Sequence, residues 1–153
     1  MKAVLDGFWS SYVQPMLQRP PRVQMAALCY RTEKAETQIL LITSRDTGRW
    51  IIPKGWPIEG KTSGETALQE AWEEAGVRSD ATAPEPLGSY TYEKRFDSGL
   101  SATVETMVYS VAVERLSDTF PEADERNRKW VTPAEAANLV AEPELQALLK
   151  DFA

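Results

Sequence analysis

Three carboxylates crowd one stretch of the chain: Glu70, Glu73 and Glu74, within T-S-G-E-T-A-L-Q-E-A-W-E-E-A-G from Thr62 to Gly76. On a helix, at roughly 100° per residue, they fall within an arc of about 100°. Like charges at these spacings repel, and no Lys or Arg stands three or four residues from Glu70 on either side. The arc is therefore either a solvated acidic face or a place for a hard divalent cation, which would relieve the repulsion. Mg2+ suits the second reading, because it takes oxygen ligands and is often held by a few carboxylates together with substrate phosphates.

The element that must position these acids has a full set of helix signals. Thr62 followed by Glu65 fits a capping box, and Gly76 suits the left-handed residue that closes a helix. Ala67 to Ala75 are mostly good helix formers. Leu68, Ala71, Trp72 and Ala75 gather on the side opposite the acids and form the expected buried face. Ahead of the helix, Trp50-Ile51-Ile52-Pro53-Lys54-Gly55 reads as a short buried strand entering a turn, and Gly60 and Gly64 loosen the chain between that turn and the helix.

From Gly55 to Val77 this stretch resembles the Nudix box, G-x5-E-x7-R-E-U-x-E-E-x-G-U with U apolar. Gly55, Glu70, Ala71, Glu73, Glu74, Gly76 and Val77 stand at the matching places. Lys61 replaces the first Glu of the pattern and Gln69 replaces its Arg, both at places that support the metal-binding acids in the family. The resemblance extends over about residues 22–140. Arg22-Val23 to Tyr30-Arg31, Ser44-Arg45, Arg49-Trp50, and Trp130 with the Glu135 helix are similar to diphosphoinositol polyphosphate phosphohydrolases. Pro53-Lys54-Gly55 is similar to diadenosine polyphosphate hydrolases.

The resemblance implies an α/β (α+β) chain folded as an α/β/α sandwich with a mixed central sheet. It also implies Mg2+-dependent hydrolysis of a phosphoanhydride in a nucleoside or diphosphoinositol polyphosphate, with Mn2+ as an alternative metal. Glu70, Glu73 and Glu74 would be the metal ligands, with Glu70 or Glu74 doubling as base. A further carboxylate would come from outside the box, either Glu125 in the acidic loop or Glu105 on a long strand. Arg22, Ser44, Arg45, Arg49, Lys54 and Gly55 would meet the substrate, Arg as a bidentate phosphate ligand and Lys as a point charge. Trp56 could stack on a base, whereas Trp50 reads as core. Gln69 would orient Glu70 through a neutral hydrogen bond.

Composition narrows the chemistry further. With 153 residues and 42% apolar content, one core suffices. A net charge of −6 argues against a nucleic-acid or membrane-surface partner and favours a small-molecule substrate brought in with metal. The chain has no histidine, which removes His-based triads and His-ligated metal sites, and its one cysteine, Cys29, sits in an apolar strand as a core residue. Strands are expected at Val23–Tyr30, Gln38–Thr43, Pro86–Arg95, Ser101–Val113 and Arg128–Val131. Helices are expected from Thr132-Pro133 onward and over about Pro143–Phe152.

Residues 1–20 read as a helical extension of a single domain spanning 1–153, with Val4, Phe8, Trp9, Tyr12 and Val13 on one face that docks on the domain or on a partner. No stretch is long enough for a signal or membrane segment, so a cytoplasmic protein is expected. Two other classes compete with the hydrolase. One is a phosphate-ligand-binding or regulatory protein on the same fold. The other is a plain acidic interaction module.

Overall fold

The computed structural model describes residues 22–82 and 84–152. The expected helical extension over residues 1–20 lies outside them. Strands β1 (Arg22–Glu33) and β2 (Glu36–Thr43) pair antiparallel, with Glu33 opposite Glu36. Most of the chain between the expected strands Val23–Tyr30 and Gln38–Thr43 is thus ladder. The turn shrinks to Lys34 and Ala35, both at positive φ (52° and 64°), which matches the twist of a two-residue hairpin. Neither residue type advertises such a turn, and so both strands run longer than their apolar stretches.

The sheet is mixed. Short β3 (Trp50–Ile51) pairs with β2, β4 (Lys54–Gly55) pairs with β1, and β6 (Glu85–Arg95) and β7 (Ser101–Ala112) form the long hairpin turning at Phe96–Gly99. β7 lies parallel to β1, and β9 (Arg128–Val131) pairs antiparallel with β2. A separate two-stranded ribbon joins β5 (Val77–Arg78) to β8 (Arg115–Leu116).

Side chains alternate across the two faces. Met25, Ala27, Cys29, Leu40 and Ile42 meet helix α1 (Ser63–Ala75) on one side. Ala26, Leu28, Ile39, Leu41 and Val108 meet α2 (Pro133–Leu139) and α3 (Pro143–Asp151) on the other. The result is the expected α/β/α sandwich. Among the described residues no helix is long and apolar enough to cross a membrane.

Helix α1 carries the acids, and its ends form as the sequence predicts. Thr62 and Glu65 make both bonds of the capping box, and Gly76 closes the helix at φ 70°. Its rotation differs from expectation. The buried face is Thr66, Ala67, Ala71, Glu74 and Ala75, with Leu68 and Trp72 only half-buried at its flank. Three alanines let the helix sit close on the sheet, and Arg78 covers Trp72 from outside, its guanidinium 3.5 Å from the ring centroid. That rotation turns Glu74 inward.

Gly76 is required by both its backbone and its surroundings. An added Cβ would stand 2.5 Å from Phe120 Cδ1 and 2.6 Å from the Ser117 carbonyl oxygen. Backbone strain and overpacking together give Gly76→Ala an expected destabilisation of about 3 kcal/mol. A urea titration checks this; a loss near zero would mean that the 117–120 segment relaxes freely.

Candidate active site

A cleft of about 500 Å3 opens where α1, β4, β6 and the 44–46 and 122–126 segments meet. Glu70 and Glu74, one helical turn apart, both line it. The Glu70 carboxylate lies against the Cα of Gly55, so that a Cβ there would stand 2.3 Å from its Cδ and Oε1. Glu74 is 6% exposed. Its Oε1 accepts the Lys54 backbone N–H at 3.3 Å and lies 3.5 Å from Arg126 Nη2.

Burial and the charges of Glu74 and Glu73 push the Glu70 carboxyl up to about 8. Burial also raises Glu74, while Arg126 and Lys54 pull it back. Lys54 is lowered to about 8 by burial, with Glu74 and Glu142 opposing. Its ammonium sits 5.3 Å from the Tyr92 ring centroid.

The other expected site residues fare differently. Glu73 does not line the cleft, and its Oε1 accepts from Gln69 Nε2 at 2.8 Å. The bond expected from Gln69 to Glu70 is therefore not made. Adjacent helical residues point apart, whereas residues four apart meet. Lys61 is exposed and lines a separate shallow groove with Gln69, Trp72 and Arg78.

In the acidic loop Glu122, not Glu125, faces the cleft. The turn there brings Glu122 onto Arg126, four residues on, while half-exposed Glu125 stands 3.7 Å from Arg45. Glu105 is half-buried opposite Val23 and Thr91, and it does not line the cleft.

Of the expected substrate residues, Ser44, Arg45, Lys54 and Gly55 line the cleft. Arg49 lies in the adjoining cavity and donates to both oxygens of buried Glu142, at 3.0 and 3.2 Å. Arg22 is elsewhere, over the Phe96 ring beside the β6–β7 hairpin. Position 22 begins β1 beside that hairpin, and nothing in its local sequence says so.

Gln24 and Lys94, which carry no sequence signal, complete the walls together with Trp56, expected to meet a base. Gln24, 4% exposed, accepts from the Tyr92 hydroxyl at 2.5 Å, and Lys94 projects nearby. Trp56, 37% exposed, stands at the mouth with Pro57 and Ile58. The one trace of Arg126 in the sequence is its i,i+4 spacing from Glu122.

The donor set fits a hard cation. Glu70 and Glu74 offer carboxylate oxygens whose mutual repulsion no cation fully neutralises, and the Gly55 cradle holds one of them in place. Among the described residues no three acidic, His or Cys side chains are grouped to hold a metal ion by themselves. An open pair suits Mg2+, which keeps waters and takes substrate phosphates as further ligands.

Known proteins bear on this geometry. Human diphosphoinositol polyphosphate phosphohydrolase 3-alpha is 28% identical over 117 residues, which are 75% of this chain and 66% of that protein. Nudix hydrolase 13, mitochondrial, of Arabidopsis thaliana is 29% identical over 120 residues, 75% of this chain and 59% of that protein. The chain thus spans about three-fifths of the length of such curated relatives.

Among solved structures, the Caenorhabditis elegans (C. elegans) Ap4A hydrolase superposes with a TM-score of 0.62 at 20% identity, covering 87% of this chain and 96% of that one. The NUDIX domain of Shewanella oneidensis NrtR, complexed with ADP ribose, gives 0.66 at 17% identity, covering 95% and 94%. These likenesses concern the fold. Residues 21–152 match the NUDIX domain family model. With the box helix, its flanking glycines and the sandwich all in place, the chain belongs to the NUDIX domain family.

Proposed function

We propose that this chain is a Mg2+-dependent pyrophosphohydrolase that cleaves a phosphoanhydride bond in a nucleoside or diphosphoinositol polyphosphate. The observation that carries the reading is the Glu70–Glu74 carboxylate pair, held against Gly55 and the Lys54 N–H in a cleft that Lys54 and Lys94 also line. Glu70 and Glu74 would hold the metal, with Glu73 and Glu122 flanking them. Bound there, Mg2+ would supply charge neutralisation and a lowered pKa for water.

The protein's own groups do the rest. Lys54 and Lys94 face the phosphate chain. Glu74 has one oxygen occupied by protein donors, which leaves the more open Glu70 better placed to take a proton from the attacking water.

The walls favour the nucleoside-linked member of the pair. Arg45 is committed to Glu122 and Glu125, and Arg126 to Glu122 and Glu74. Among the described residues, Lys54 and Lys94 are the cleft cations without an ion pair. Two ammonium groups suit a short phosphate chain better than a ring crowded with phosphates. Half-exposed Trp56 beside Pro57 and Ile58 suits an aromatic base. Gln69 and Lys61, at the box's supporting places, favour a second reading in which the cleft binds its ligand without turnover.

Phosphate release from a dinucleoside polyphosphate, a nucleoside triphosphate, ADP-ribose and a diphosphoinositol polyphosphate separates these readings, with Mg2+ and with chelator. Turnover is expected only with Mg2+, and at least about tenfold faster on a nucleoside-linked substrate, a difference of about 1.4 kcal/mol in the barrier. Ligand-induced stabilisation without turnover would establish the binding protein.

A further inference from the structure

We propose that Arg126, in the loop ahead of β9, is the residue that orients Glu74 toward the metal. It is a positioning residue supplied from outside the helix that carries the acids. The inference rests on the reading of Glu74 as a metal ligand.

Glu74 faces the sheet at 6% exposure, where a carboxylate needs donors. The Lys54 N–H donates to its Oε1 at 3.3 Å, and the Arg126 guanidinium forms an ion pair with the same oxygen at 3.5 Å. Among the described residues no protein donor meets the second oxygen, and Glu74 lines the cleft beside Glu70. A carboxylate tethered through one oxygen in this way presents the other in a defined direction.

The guanidinium can impose that direction because it is itself held. The Arg126 side chain is 6% exposed; its Nη1 donates to the Thr43 carbonyl at 2.9 Å, and Nε and Nη2 donate to Glu122 Oε1 at 3.1 and 3.0 Å. The loop beneath it is stitched on both sides. Asn127 N–H donates to Thr43 Oγ1, Thr43 N–H to the Asn127 carbonyl, and Glu122 N–H to the Glu73 carbonyl. Guanidinium geometry matters here. One side chain serves a carbonyl and two carboxylates at once, which a rigid fork of donors does and a single ammonium does not.

No residue of α1 competes for the task. Gln69, where the box pattern has Arg, spends its amide on Glu73. The guanidinium beside Glu74 comes instead from a loop 52 positions further along the chain, 126 minus 74.

Arg126→Lys and Arg126→Met in the full chain test this, read by Mn2+ binding without substrate, by kcat and KM with Mg2+, and by Tm. Loss of outer support for a metal ligand weakens metal binding about 10- to 100-fold. Both variants are expected to lose at least tenfold in Mn2+ affinity and a similar factor in kcat, with KM within threefold of wild type. Lysine keeps the charge and not the fork, so wild-type Mn2+ affinity in Arg126→Lys would overturn the proposal. So would unchanged Mn2+ affinity in both variants with only Tm lowered, which would mark Arg126 as structural. A wild-type chain that binds no Mn2+ would instead remove the metal-site reading, and this inference with it.

Discussion

Replacing Glu70 with Gln is expected to cut Mg2+-dependent turnover about a thousandfold, equivalent to about 4 kcal/mol in the barrier, while raising the Tm of the metal-free protein. The two effects have one cause. Glu70 is partly buried beside Glu74, and both burial and that neighbour disfavour its charge, which places its carboxyl at about 8 against an ordinary 4.5. A folded-state pKa above the unfolded one means that the fold binds the extra proton. Stability is therefore present at low pH and is lost as pH rises from about 4.5 through about 8. Glutamine keeps the shape and removes the charge that a metal needs.

In chelator, the wild-type Tm should fall between pH 5 and pH 8.5, and the Glu70→Gln curve should be flatter and higher at the alkaline end. Mg2+ should restore the wild-type Tm there, because the cation takes the place of the proton. A variant that is less stable than wild type at pH 8.5 would show that Glu70 is a structural acid. Sites held together against their own stability are expected where function requires the strain.

Gly55→Ala is expected to lower kcat about a hundredfold with Tm nearly unchanged. The new methyl group would stand 2.3 Å from the Glu70 Cδ, so something must move. What yields is the end of a flexible side chain and not the backbone. Gly55 is also absent from the glycines at positive φ, so alanine fits its backbone. The strand survives and the carboxylate leaves its place, and a misplacement of about 1 Å can cost a catalytic group about a hundredfold. Gly76→Ala is the converse case, in which a fixed carbonyl and a left-handed backbone turn the same added methyl into lost stability. Kinetics and thermal melts of the two variants side by side should show the effects crossed. Equal loss of stability in both would defeat the distinction.

The contrast also shows which features the chain announces locally. The capping boxes at Thr62 and Thr132, the Gly76 terminus, the strand at Arg128–Val131 and the continuous apolar runs of β1 and β2 depend on neighbours within a few residues. Each is legible because its physical cause sits inside a single turn or ladder. The clustering of Glu70, Glu73 and Glu74 on one helix is of the same kind, and so is the family resemblance those spacings carry.

What the acids do once the helix is placed is not local. Ala67, Ala71 and Ala75 let α1 roll Glu74 toward the sheet, and helical spacing gives Gln69 to Glu73 instead of Glu70. Arg49 is claimed by Glu142 and Arg126 by Glu122 and Glu74, pairs separated by 93, 4 and 52 positions, the last being 126 minus 74. Only the short pair leaves a periodic trace. Arg22 reads as a cation beside the motif, yet β1 carries it to the far hairpin, and Glu125 yields the cleft to Glu122 through the direction of one turn. Near-neighbour geometry is enough to say which helix holds the carboxylates, how it is capped and which fold receives it, and near-neighbour geometry is written in the order of the residues. Which carboxylate is buried, which cations stay free for phosphate and which loop supplies the guanidinium depend on where the sheet order brings distant residues together, and so they exist only in the folded chain.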